Sequence, residues 1–274
     1  MDILYIVFFV VFGAVMGSFC CCQAWRVRYK EEGKKDLGKR SICLKCKKQL
    51  KWYENIPIVS WLAQGGKCRS CGEKIGNMEI WAELAGATVF GLLGWTFLKQ
   101  APYDWLSIVR FGILSIMMVG LLFLAIYDAK WRELPTTILW FVIICGGVYA
   151  VVTGLGIGAK GVESLAVGRM FDLDGAASYF LGVLAAVGIL GGIYYLLYFF
   201  SKEKLVGGGD WMLGVAIGLV LGDWWLAVWT LFLANFVGAV VMIPQRKKKI
   251  AFGPFLIGAF VMVLVFSEFF LGMK

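Results

Sequence analysis

The sequence contains no histidine and few charged residues. Of its 274 residues, 16% are charged and 60% are hydrophobic, and the mean hydropathy is +0.79. Soluble domains usually carry about 25% charged residues, and disordered chains are poor in apolar ones. The composition therefore excludes an ordinary soluble enzyme and a disordered protein. The absence of histidine excludes Ser-His-Asp triads, Cys-His dyads and two-histidine zinc proteases, so any chemistry must use carboxylates, cysteines, lysines, hydroxyl groups or tyrosines.

Long apolar runs predict an all-α polytopic membrane protein with about eight transmembrane helices. Most runs approach the roughly 20 residues that cross a bilayer. The sixth is short, and only Gly222 and Asp223 separate it from the seventh, so these two could form one bent pair. The eight predicted segments are Ile3–Cys22, Ile80–Leu98, Trp105–Tyr127, Pro135–Leu155, Ala177–Phe200, Trp211–Leu221, Trp224–Ile243 and Phe252–Leu271.

The positive charge is concentrated in one segment. Between Gln23 and Glu79 there are 14 Lys and Arg against 6 Asp and Glu. If this segment is cytoplasmic and the spans alternate, 22 Lys and Arg lie inside and 4 outside. Cytoplasmic loops carry such an excess, and the inner leaflet is anionic. We therefore predict a cytoplasmic segment in contact with membrane lipids, with both termini outside. Because no nucleic-acid motif accompanies the charge, we predict no nucleic-acid partner.

Four of the eight cysteines form two C-x-x-C pairs in the basic segment: Cys43, Cys46, Cys68 and Cys71. The pairs are separated by twenty-one residues, close to the zinc-ribbon spacing. Four thiolates can surround one tetrahedral Zn²⁺ and leave no open position for water, so we predict a structural zinc site. Reduced thiols or redox pairs are the alternative, although disulfides are disfavoured in the cytoplasm.

Two aspartates occupy the predicted cytoplasmic ends of apolar segments. Asp128 ends the third segment, and Asp210 opens the sixth directly after Gly207, Gly208 and Gly209. Ionisable groups in spans are costly and usually functional. A pair of carboxylates that shares a proton supplies both an acid and a base, which suits hydrolysis in a chain without histidine. The glycines would permit unusual backbone angles and close approach of a peptide.

Other interpretations of the two aspartates stay open at this point. Both could be solvated residues at helix ends, and Asp210 could cap the helix that follows it. A proton-coupled transporter would also use acids at the membrane interface, and Glu83 is a further candidate acid near the start of the second segment.

The motifs together are similar to one family. The chain resembles the type IV prepilin peptidases, which are GxGD-type aspartic proteases of the bacterial inner membrane. In two positions it departs from the family pattern, with Cys21 in place of Asn and Thr136 in place of Asp, and neither change removes Asp128 or Asp210. The likeness is carried by Gly17-Ser18-Phe19 through Arg26, by Trp52–Leu62 (family pattern WYDNIPxxSWL), by Asp128 with Leu134-Pro135, by Gly207–Asp210 and by Phe252–Phe255.

The resemblance implies a specific activity. It implies that Asp128 and Asp210 form a catalytic dyad that removes the short basic leader from prepilins or pseudopilins at the cytoplasmic face. It also implies N-methylation of the new N-terminus with S-adenosylmethionine. A non-catalytic pilus assembly subunit and a proton-coupled transporter are the alternatives. We divide the chain into a first transmembrane helix (1–22), a cytoplasmic zinc-binding insertion (23–79) and a seven-helix protease domain (80–274), with no prediction of oligomeric state.

Overall fold

The structure is a computed structural model, and it describes residues 2–33, 38, 40–99, 104–160, 175–201, 207–243 and 251–273. Regular structure in these ranges is helical, which confirms the predicted all-α class. A 3₁₀ turn covers Trp52–Asn55 and a π-helical turn covers Gly188–Gly192. The helices are α1 (Asp2–Glu31), α2 (Val59–Ala63), α3 (Asn77–Leu98), α4 (Trp105–Trp131), α5 (Thr136–Lys160), α6 (Gly175–Ser201, containing the π turn), α7 (Asp210–Leu221), α8 (Trp224–Met242), α9 (Gly253–Val265) and α10 (Ser267–Leu271).

All eight predicted apolar segments carry helix, but the helices differ in length. Six of the described helices, α1, α3, α4, α5, α6 and α8, are long and apolar enough to cross a membrane. The apolar helices α7 and α9 have only 12 and 13 residues. The chain is therefore a multi-pass membrane protein. The cations counted for orientation that lie outside the described residues are Lys34, Lys35, Lys39, Arg169, Lys202, Lys204, the run Arg246–Lys249 and Lys274.

The chain divides into two compact units, which we call the N-terminal unit (1–100) and the C-terminal unit (101–274). In the N-terminal unit, α1 and α3 pack with their backbones in close approach. A Cβ atom on Gly13 would collide with the carbonyl of Gly86, and one on Gly17 would collide with the carbonyl of Ala82. Small residues four positions apart, as Gly13 and Gly17 are, are typical of closely packed helix pairs in membranes.

The C-terminal unit contains α4 to α10, and glycines again set its closest packing. A Cβ atom on Gly214 of α7 would lie 2.6 Å from the carbonyl oxygen of Leu190, in the π turn of α6. The helices α7 and α8 are separate, because Gly222 adopts a left-handed conformation with φ of 65°. Asp223 then caps α8 by accepting a hydrogen bond of 2.7 Å from the amide of Trp225. The sixth and seventh predicted segments are therefore two helices with a sharp break between them.

Candidate functional site

Asp128 lies in the last turn of α4 and is buried, with 5% of its surface exposed. Its Oδ2 accepts a hydrogen bond of 2.8 Å from the amide of Gly253, at the start of α9. Helix α4 ends at Trp131 and is capped by Arg132, whose amide donates to the Asp128 carbonyl and whose φ is 59°. Arg132 and Asp128 also interact electrostatically. Asp128, at the end of α4, is thus held by a backbone amide at the start of α9, which is distant in sequence.

Asp210 is the first residue of α7 and is also buried, with 7% of its surface exposed. Its Oδ2 accepts a hydrogen bond of 3.0 Å from the amide of Gly207. Gly209 has φ of −85° and ψ of −23°, which any residue adopts. A Cβ atom on Gly209 would nevertheless lie 2.7 Å from Cβ of Leu134, in the loop between α4 and α5. At Gly209, glycine is therefore required for close approach rather than for backbone angles.

The two aspartates lie near each other in the C-terminal unit. Their carboxyl groups interact electrostatically, although they belong to different helices. The Leu134 contact to the glycine loop brings the end of α4 towards the start of α7. Two neighbouring buried carboxylates cannot both ionise easily, so they can hold one proton between them. Such a pair can act as acid and base in one step.

Sequence reasoning missed a buried polar residue that interacts with Asp210. Tyr194 of α6 is buried, with 2% of its surface exposed, and it interacts electrostatically with Asp210. Its hydroxyl accepts a hydrogen bond of 3.2 Å from the side-chain amide of Asn235. Its ring packs edge-on against Phe252, at 5.5 Å between centroids. Tyr194 follows the π turn, and such turns occur frequently at functional sites. The sequence did offer one signal for this polar pair, because Asn235 is a polar residue inside the seventh apolar segment.

The N-terminal unit brings the four predicted metal ligands together. The Sγ atoms of Cys43, Cys46, Cys68 and Cys71 lie within 4.8 Å of one another, and this cluster could hold a metal ion. The Cys43 and Cys71 sulfurs are 3.9 Å apart. Tetrahedral Zn²⁺ with Zn–S bonds of 2.3 Å separates its sulfurs by about 3.8 Å. The arrangement therefore fits a tetrathiolate ion.

Each C-x-x-C pair forms the same backbone turn. After the first pair, the Cys43 amide donates to the carbonyl of Lys48, and Lys47 has φ of 59°. After the second, the Cys68 amide donates to the carbonyl of Glu73, and Gly72 has φ of 69°. Such turns direct two sulfurs to one side. Lys47 and Gly72 occupy equivalent positions in the two turns but are different residue types. In the sequence, the repeated turn was therefore indicated only by the C-x-x-C spacing.

Polar contacts join the two turns around the cysteines. Lys45 forms an ion pair with Glu73, and Nζ of Lys48 donates a hydrogen bond of 2.6 Å to Oγ of Ser70. Hydrogen bonds from the backbone of Ser70 and Cys71 lower the pKa of the Cys68 thiol to about 7. A lowered pKa favours the thiolate that binds metal.

The further candidate acid Glu83 and three of the other cysteines lie apart from these two clusters. Glu83 belongs to the N-terminal unit and is buried, with 7% of its surface exposed. Its Oε2 accepts a hydrogen bond of 2.6 Å from the amide of Ile58. Cys20 and Cys21 are buried in α1, and Cys145 lies in α5, apart from the four-cysteine cluster. Glu83 thus has a structural partner in the loop before α2.

These features define a multi-pass membrane protein with a buried pair of carboxylates and a four-cysteine cluster. Residues 11–97 match the family model described as the bacterial peptidase A24 N-terminal domain. No solved structure matches the chain significantly.

Several curated relatives match most of the chain, and they share the name prepilin leader peptidase/N-methyltransferase. The relative from Pseudomonas aeruginosa is 27% identical, over 90% of this chain and 85% of its own length. The one from Bacillus subtilis is 28% identical, over 94% and 93%. The one from Neisseria gonorrhoeae is 30% identical, over 78% and 66%. The chain belongs to the prepilin leader peptidase family of enzymes, which confirms the resemblance found in the sequence.

Proposed function

We propose that this protein is a membrane aspartic endopeptidase that removes the short basic leader from type IV prepilins or pseudopilins. The observation that carries the proposal is the buried pair Asp128 and Asp210 in a chain that contains no histidine. The shared name of the relatives supports prepilin as the substrate class. The positive charge of residues 23–79 supports cleavage at the cytoplasmic face of the bacterial inner membrane, with both termini outside.

Hydrolysis would proceed by general acid and base catalysis at the dyad. The ionised carboxylate removes a proton from a water molecule, and the water oxygen attacks the scissile carbonyl carbon. The protonated carboxyl group donates its proton to the carbonyl oxygen, which gives a gem-diol. When the C–N bond breaks, the leaving nitrogen takes a proton from one carboxyl group of the dyad. One hydroxyl of the diol returns a proton to the other carboxylate, so the leader ends in a carboxyl group and the dyad again holds one proton. Because the two acids titrate as a pair, neither is assigned as the base.

The backbone around the dyad supplies orientation. The Gly253 amide fixes one oxygen of Asp128, and the Gly207 amide fixes one oxygen of Asp210. Each acid therefore keeps a second oxygen that can face water and substrate. Holding reacting groups in a productive geometry lowers the barrier by several kcal/mol, roughly 7 to 11 in well-oriented cases. We propose Gly207, Gly208 and Gly209 as the catalytic loop for this reason.

We propose that Cys43, Cys46, Cys68 and Cys71 hold a structural Zn²⁺. When bound, the ion would cross-link the two C-x-x-C turns, and it would supply folding energy to a segment with little apolar core. We also propose that the protein N-methylates the new N-terminus, with S-adenosylmethionine as donor. This second activity is inferred from the relatives' names, and no residue of this chain is assigned to the methyl donor.

A cleavage assay tests the proposal. The chain would be co-expressed with a candidate prepilin from its own genome, and the mass of the pilin N-terminal peptide would be measured. We expect a loss equal to the leader and a gain of one methyl group. Cleavage without the methyl group would limit the function to proteolysis. An unprocessed pilin beside a folded, membrane-inserted protein would contradict the proposal and favour a transporter or a non-catalytic assembly subunit.

A further inference from the structure

The loop between the two C-x-x-C pairs exposes large apolar side chains. Trp52 is 80% exposed, Val59 is 60% exposed and Leu62 is 62% exposed. All three lie within eleven residues, on the 3₁₀ turn and on α2. Single exposed apolar residues are normal, whereas clusters mark contact surfaces. This loop, Trp52–Leu62, therefore requires a partner.

The position of the loop along the membrane helices identifies that partner. The Ile58 amide is bonded to the Glu83 carboxylate at 2.6 Å. Glu83 also bonds the hydroxyl of Ser18, which belongs to the apolar part of α1. With a rise of 1.5 Å per residue, Glu83 lies about 5 Å beyond Ile80, where the apolar part of α3 begins. The loop is thus held at the depth where helices enter lipid.

The loop is held firmly in this position. Ile58 has φ of 63°, a conformation that β-branched residues rarely adopt. Such a conformation persists only when the surroundings hold it, and the bond to Glu83 does so. Helix α2 begins at the next residue, so this bond also sets the direction in which Val59 and Leu62 project.

The charge around the loop complements a lipid surface. Lys51 and Arg69 both lie over the ring of Tyr53, at 5.7 and 5.6 Å from its centroid. Trp and Tyr are enriched at membrane interfaces, and cations beside them attract anionic headgroups. A soluble protein partner would not explain why the apolar residues occur at membrane depth.

We propose that Trp52–Leu62 is an interfacial membrane anchor. Trp52, Val59 and Leu62 enter the lipid leaflet that α1 and α3 cross beside the cysteine cluster, and the neighbouring cations contact anionic headgroups. The anchor would keep the four-cysteine cluster at the membrane surface. This inference does not depend on the proposed peptidase activity.

Photocrosslinking of the full chain tests the anchor. Benzoylphenylalanine would replace Leu62 in one variant and Ser70, an exposed polar residue between Cys68 and Cys71, in a control. Both would be reconstituted in nanodiscs of phosphatidylethanolamine and phosphatidylglycerol, irradiated and analysed by intact mass. We expect lipid adducts at position 62 and none at position 70. Equal adducts at both positions, no adduct at 62, or a crosslink from 62 to protein would overturn the proposal.

A second measurement uses natural side chains. The double variant Trp52→Ser, Leu62→Ser removes the two apolar groups at the ends of the loop. In the same nanodiscs, we expect trypsin to cleave after Lys51 about tenfold faster than in the unmodified chain, because the loop no longer gains from burial in lipid. Retained metal content would show that the variant is folded. An unchanged cleavage rate in that folded variant would overturn the proposal.

Discussion

The backbone amide of Gly253 donates a hydrogen bond of 2.8 Å to Oδ2 of Asp128, across 125 positions of sequence. A Cβ atom at position 253 would lie 2.8 Å from the same oxygen. The start of α9 therefore sets the orientation of an acid at the end of α4, and only glycine allows the approach. In the proposed mechanism, this contact positions one member of the dyad.

Gly253→Ala should lower prepilin cleavage strongly. The new methyl group would displace the Asp128 carboxylate, and a displacement of about 1 Å can cost roughly 100-fold in rate. Gly258→Ala, in the same helix, is the matched control, because nothing lies within 4 Å of a Cβ atom there. Initial cleavage rates with purified protein would compare them. Equal rates for the two variants would show that the Gly253 contact does not serve catalysis.

Replacement of either aspartate by asparagine should abolish cleavage. Asp128→Asn and Asp210→Asn each remove a carboxyl group from a pair that needs two. The cleavage rate of each variant should be lower than that of the unmodified protein by a factor of roughly 10⁴ or more. Asp223→Asn is the control, because asparagine caps a helix as well as aspartate does. Pilin N-terminal masses from cells would report the result. Normal processing by either dyad variant, at equal membrane levels, would end the proposed mechanism.

Tyr194→Phe should lower kcat and leave KM nearly unchanged. The variant keeps the ring that packs on Phe252 but removes the hydroxyl of the residue that interacts electrostatically with Asp210. The loss of a hydrogen-bonded polar group near the reacting atoms typically costs about 10-fold or more. Tyr195→Phe is the control, because Tyr195 is 46% exposed. If both tyrosine variants kept the full kcat, Tyr194 would have a packing function only.

If Asn235 acts by orienting the Tyr194 hydroxyl, its effect should depend on that hydroxyl. Asn235→Ala should lower kcat in the unmodified background, and it should cause little further loss in Tyr194→Phe. A double-mutant cycle on kcat would measure this coupling. Additive losses would mean that the two residues act separately.

Gly209→Ala should be more damaging than Gly208→Ala. A methyl group at position 209 would lie 2.7 Å from Cβ of Leu134, whereas one at 208 would meet the Tyr198 ring at an ordinary 3.4 Å. The first change must separate the glycine loop from the loop after α4, and Asp210 with it. Cleavage rates of the two variants would be compared, and the reverse order would contradict the close-approach explanation.

Cys43→Ser and Cys68→Ser should each lose the metal. Removal of one thiolate from a four-thiolate site leaves an incomplete ligand set, and the loss of a structural zinc destabilises its segment. Cys145→Ser is the control, since Cys145 lies outside the cluster. Metal analysis of purified protein should give one zinc per chain for the unmodified protein and the control, and none for the ligand variants. An unmodified protein that binds no metal would refute the zinc site.

Much of this protein follows from local patterns. Apolar runs such as Trp105–Tyr127 predict helices because a bilayer requires satisfied backbone groups over its full width. The spacing of Cys43, Cys46, Cys68 and Cys71 predicts a shared ion because each pair turns its sulfurs to one side. These features depend on residues close together in sequence, so they can be recognised without a fold. The identity of Asp128 and Asp210 as candidates also came from the sequence alone.

Other features depend on helix packing. The amide of Gly253 reaches Asp128, the side chain of Asn235 reaches the Tyr194 hydroxyl, and the Ile58 amide reaches Glu83. Each joins residues that are distant in sequence, and no periodicity encodes such a pairing. Composition and spacing thus determined the class of protein, its helices and its candidate ligands. Only the tertiary structure decided that the Gly253 amide orients Asp128, because close approach of helices is a property of their packed surfaces.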